Sequence, residues 1–196
     1  MVPFSLFNSK EIILAMNTTL KSVSGGFVQL LKIGGIRELI KYVSENHQLL
    51  YGIVAVLVLL SILCSKDQNR KLLFLYSLVI AYLTLLNRRA AGRRFILTPF
   101  WSYRRFFEGE YFRSQIINNI LLFIPLGTIL SRLKPKWSTA GTLVMISVGI
   151  EILQYLLGRG FFETDDIISN SLGGLIGLTV GLLWMYTVIL FQKLKG

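Results

Sequence analysis

No charged residue stands between Ile167 and Phe191, a run longer than the roughly 20 residues that cross the hydrocarbon core of a bilayer. Inside lipid every backbone N–H and C=O must be satisfied within the segment, and a helix does this. Four more apolar runs precede it: Leu49 to Cys64, Leu72 to Leu86, a third that begins near Ile116, and a fourth from Thr139 to Leu157. The first two are slightly short, but their polar and aromatic flanks extend them. A hydrophobic share of 53% and a mean hydropathy of +0.60 over 196 residues are too high for a soluble surface. The pattern predicts an all-α polytopic transmembrane bundle of about five spanning helices.

Residues 1–48 read differently. Their apolar positions, such as Phe27, Leu30, Leu31 and Ile36, are interrupted by Lys32, Arg37 and Lys41, which fits a basic amphipathic segment lying in the membrane interface. A cleavable signal peptide is not expected, because no basic start leads into a clean apolar core. The layout is then 1–48 interfacial segment, 49–87 transmembrane hairpin turning at the polar SKDQNRK, and 88–196 core with three spans. The single cysteine, Cys64, rules out an intrachain disulfide.

Lys and Arg number 21 against 10 Asp and Glu, a net charge of +11. In a soluble protein this excess would suggest nucleic acid. The connection from Asn87 to Ser114 does interleave Arg88, Arg89, Arg93, Arg94, Arg104, Arg105 and Arg113 with aromatic residues, as an RNA-binding strip would. Placed between two spans, it fits an interfacial aromatic belt with guanidinium groups on lipid phosphate. Membrane lipids, not nucleic acid, are the expected partners.

The acidic chemistry of the second half is concentrated between Glu151 and Asn170, at the junction of the last two spans. Glu151 and Gln154 share a helical face about 9 Å and 5 Å inside the fourth span, where a carboxylate requires a partner. Parity of the spans puts Arg93, Arg94, Asn118, Asn119, Glu151, Gln154, Arg159, Asp165, Asp166 and Asn170 on one membrane side, as one candidate ligand-binding set. An internal network, Arg159 with Asp165 or Asp166 for instance, would instead be purely architectural. Asp165, Asp166 and Asn170 carry donors suited to Mg²⁺ or Ca²⁺, yet adjacent carboxylates at a helix start are commonly a cap and dipole partner. No metal and no cofactor is assigned. Gly173, Gly177 and Gly181 form a small-residue stripe suited to close helix packing, including association between copies.

Several stretches together resemble a known family. LTPF at Leu97–Phe100, NNILLFIPLG at Asn118–Gly127, IEILQ at Ile150–Gln154, GRG at Gly158–Gly160 and TDDIISNSLGGLIG at Thr164–Gly177 are similar, in order and spacing, to the VanZ-like family. That family of small bacterial membrane proteins is named for a teicoplanin-resistance determinant. The resemblance covers roughly half the chain and implies a multi-pass protein of the bacterial cell membrane, linked to lipoglycopeptide resistance, with no established reaction.

The side with the N-terminal region carries more Lys and Arg in total. The other side's elements are nevertheless short, basic and poor in acid, with Asp67 their only carboxylate, and short loops are the ones the positive-inside rule reads best. The candidate set is therefore expected outside the cytoplasm. Three functions fit it: a non-catalytic site for an anionic envelope component, an enzyme acting on a lipid-linked phosphate, or a carrier. Catalysis is disfavoured because the one histidine, His47, is far from the candidate set in sequence and no serine or cysteine has a neighbouring base pattern of a familiar kind.

Overall fold

A computed structural model describes residues 47–86 and 92–195. The interfacial segment expected over residues 1–48 falls, but for its last two residues, outside them. Residues 47–52 belong to one unit, Met1–Gly52, and the other described residues to a second, Ile53–Gly196, which holds most of the architecture that follows.

Helix α1 spans His47–Leu63 and α2 spans Lys66–Ala81, continued by a π-helical turn at Tyr82–Leu86. The stretch SKDQNRK is mostly helix rather than turn. Ser65 and Gln68 form a capping box in which Ser65 N–H donates to Gln68 Oε1 at 2.8 Å and Gln68 N–H to Ser65 Oγ at 3.3 Å, so α2 begins at once. Buried Asn69 then donates to the carbonyls of Ser61, Cys64 and Ser65, satisfying the orphan acceptors at the end of α1.

A two-residue strand β1, Phe95–Ile96, and a short helix α3, Trp101–Arg104, precede α4 at Glu110–Leu133. Helix α5 covers Thr139–Leu156, strand β2 Phe162–Glu163 and helix α6 Thr164–Lys195. The strands pair in parallel, Phe95 with Phe162 and Ile96 with Glu163, and among the described residues they are the one departure from an otherwise helical bundle. Among the described residues four segments are long and apolar enough to cross a membrane, Lys66–Leu86, Glu110–Leu133, Thr139–Leu156 and Thr164–Leu194, while the apolar helix Leu49–Leu63 is shorter.

Helix α4 is central. It runs on through buried Pro125, whose missing N–H leaves the Leu121 carbonyl without its helical donor, and next to it the Tyr76 hydroxyl donates to the Leu122 carbonyl at 2.7 Å. Against α6 the backbones touch. A methyl group at Gly173 would meet the Ile120 carbonyl, one at Gly177 the Ile124 carbonyl, and one at Gly127 the Gly174 carbonyl. These contacts advance together, so α4 and α6 run parallel, and α5 returns between their ends. The glycine stripe is thereby filled within the chain, where α4 packs on it. Phe123, Leu126, Ile129, Leu143 and Leu178 belong to the hydrophobic core.

Candidate functional site

Helix α5 closes on Gly158, whose φ of 61° is left-handed. Gly158 N–H donates to Tyr155 O at 3.2 Å and Arg159 N–H to Gln154 O at 2.9 Å, the paired bonds that end a helix on glycine. The chain reverses here and feeds β2 and α6. Gly158→Ala should cost about 1 to 2 kcal/mol, seen as a lower thermal midpoint of the purified protein, and unchanged melting would show that the turn accepts a side chain.

The acidic residues between Glu151 and Asp166 turn inward. Glu151 and Asp165 are each 1% exposed, Asp166 3% and Glu163 8%. Glu151 Oε2 accepts from Glu163 N–H at 3.0 Å and so pins β2 to α5. Asp165 accepts from Phe100 N–H at 2.6 Å, Ser102 N–H at 2.8 Å and Ser102 Oγ at 2.6 Å. Phe100 is the N-cap of α3 and supplies no side-chain cap, so Asp165 provides it from across the fold. Phe100 also has φ 62° and ψ 19°, a left-handed backbone that costs a side-chain-bearing residue about 1 to 3 kcal/mol. Asp165 holds it there. Asp166 projects about 100° away along the helix and accepts from Gln115 Nε2 at 3.1 Å.

The remaining polar groups follow the same seams. Gln154 Nε2 donates to the Thr84 carbonyl in the π-helical turn at 3.2 Å. Asn170 Nδ2 donates to Ser147 Oγ at 3.1 Å, and a methyl at Gly174 would touch Leu143. Helices α5 and α6 are therefore antiparallel, in a register that brings Glu151 level with Asp166. Asn118 and Asn119 lie half-buried on α4 near the same depth, since Ile120 meets Gly173. The Tyr103 hydroxyl shares a 2.8 Å hydrogen bond with Ser169. Burial raises its phenol above the ordinary value, the Ser169 bond pulls it down, and Asp165 and Asp166 add to the rise.

The guanidinium groups are placed differently. Arg93 is exposed and its Nη2 donates to the Leu156 carbonyl at 3.2 Å, completing the end of α5. Arg94 is exposed and stands over the Phe161 ring, 5.9 Å from its centroid, while Phe162 N–H donates to the Arg94 carbonyl at 2.9 Å. Arg159 is half-buried in the turn. Ser102 beside Asp165 has the outline of a hydroxyl with a base, yet its 2% exposure and the three donors on that carboxylate make the pair an anchor. Among the described residues no three His, Cys, Asp or Glu converge as a metal-holding group.

A family model described as VanZ/LLP1 matches residues 73–190. The chain belongs to the VanZ/LLP1 family. It is similar to Protein VanZ of Enterococcus faecium, with 28% identity over 127 residues that cover 58% of this chain and 73% of that protein. No solved structure matches the chain. The VanZ/LLP1 region starts inside α2 and ends in α6, so it contains every candidate site residue and leaves out α1.

Within this VanZ/LLP1 core the separate motifs become one object. The LTPF loop is what Asp165 of the TDD motif caps, and the Glu151 of IEILQ holds the strand between GRG and TDD. Sequence reasoning missed Thr84, Ser102, Tyr103, Gln115, Ser147 and Glu163. Ser147 was within reach, one turn before Glu151 on the same buried stripe, and Glu163 lies in the acidic stretch itself. Ser102 and Thr84 meet their partners only through tertiary contact.

Proposed function

We propose that this is a multi-pass protein of the bacterial cell membrane that protects against teicoplanin-type lipoglycopeptides by binding an anionic, phosphate-bearing envelope component. Segregation of charge carries the reading. Glu151, Glu163, Asp165 and Asp166 are buried, whereas Arg93, Arg94, Arg104, Arg105 and Arg113 are exposed. With those four acids withdrawn to brace the loops, five exposed arginines face only Glu108 and Glu110 on the same connection, and guanidinium groups suit phosphate because they can donate two parallel hydrogen bonds to it. Glu108 lies 3.8 Å from Arg105, so the reading rests first on Arg93 and Arg94. The link to resistance is supported by membership of the VanZ/LLP1 family and the likeness to Protein VanZ. The working face is taken as extracytoplasmic, since Ser65–Lys71 and Arg132–Lys136 are the short basic loops.

Native mass spectrometry of protein purified from bacterial membranes should show a phosphate-bearing envelope lipid that is lost in Arg94→Ala. An adduct retained undiminished when both Arg93 and Arg94 are replaced by alanine, or its absence from the unmodified protein, would contradict the proposal.

A further inference from the structure

Asn170 is 4% exposed, and although its Nδ2 is engaged by Ser147, its buried Oδ1 has no partner among the described residues. Asn118 Oδ1, Asn119 Nδ2 and Ser171 Oγ are in the same position. The contacts of Ile120 with Gly173 and of Asn170 with Ser147 put these residues within about one helical turn of a common depth, roughly 9 Å inward from Thr164. Unmatched donors and acceptors, buried at one level of a bundle, are satisfied by a small molecule able to do both, and water is that molecule.

The layers on either side differ. Toward the arginine-bearing face the polar groups continue through Gln115, Glu151 and Asp166. In the other direction Leu143 closes on Gly174 and the glycine contacts of α6 close on the α4 backbone, with Leu143 and Leu178 both fully buried. We propose that Asn118, Asn119, Asn170, Ser171 and Ser147 line an internal water site, a hydrated well filled from the arginine-bearing face and closed toward the opposite face. The well does not depend on what the arginines bind.

Silver ion, which reacts with thiols and is small enough to follow water, reads this directly. In a Cys64→Ser background, Ser147→Cys, Ser171→Cys and Asn119→Cys are exposed to Ag⁺ in chloride-free buffer, using sealed vesicles of both orientations. Remaining thiols are then alkylated after denaturation. Phe107→Cys and Trp137→Cys, at positions 92% and 63% exposed in the native protein, mark the two faces, Leu178→Cys serves as the dry control, and gel filtration confirms folding. The near-isosteric serine variants should lose later alkylation when Ag⁺ is on the Phe107 side and keep it when Ag⁺ is on the Trp137 side. Well-folded Ser147→Cys and Ser171→Cys proteins as unreactive as Leu178→Cys, or equal reaction from both faces, would overturn the proposal.

Discussion

Asp165→Ala is expected to remove most of the folded protein from the membrane. The substitution strands two backbone N–H groups and the Ser102 hydroxyl and releases Phe100 from a conformation it would not adopt alone. Each buried donor left without its acceptor costs about 1 to 3 kcal/mol, so losing the set removes a large part of the roughly 5 to 15 kcal/mol that holds a typical domain folded. Asp165→Asn keeps one acceptor oxygen and should lose less. Membrane abundance and thermal midpoint check both, and wild-type abundance for the alanine variant would mean that the loop before α3 holds itself.

A side chain at Gly177 should be comparably damaging. Its Cβ would run into the Ile124 carbonyl and the Thr128 amide nitrogen, and backbone inside two parallel helices cannot yield as a side chain can. Gly177→Leu is expected to separate α4 from α6 at a cost of about 3 kcal/mol or more, above the usual range for an overpacked core. Gly181→Ala is the informative contrast. There the nearest atom is the Ser131 hydroxyl oxygen, which can rotate away if it gives up its 2.6 Å bond to the Thr128 carbonyl. Thermal unfolding in detergent should rank Gly177→Leu well below Gly181→Ala, and equal stability would refute the close crossing.

The helices could be read from the chain because burial in lipid removes charge over whole segments, a signal that survives without tertiary knowledge. Their ends were harder. The third span was expected near Ile116, while α4 begins at Glu110, because Glu110 and Arg113 interrupt the apolar pattern without interrupting the helix. The polar SKDQNRK concealed the first turns of α2 for the same reason, even though Ser65 and Gln68 spell a capping box. At the site, periodicity put Glu151 and Gln154 on one helical face, and both are buried. The partners could not be read this way. Asp165 and Asp166 look like one acidic pair, yet adjacent helical residues point about 100° apart, and one braces α3 while the other meets α4. No local pattern announces that Ser102, eleven residues before α4's own Arg113, will be capped by a carboxylate from α6.

Buried acids that brace the loops and exposed guanidinium groups that bind are separable by one experiment. Teicoplanin susceptibility and membrane abundance are measured together in cells that depend on this protein for protection. Glu151→Gln and Asp166→Asn should lose protection only in step with abundance, while Arg94→Ala should lose it at unchanged abundance. Full protection from a well-inserted protein lacking both Arg93 and Arg94 would contradict the proposed binding face.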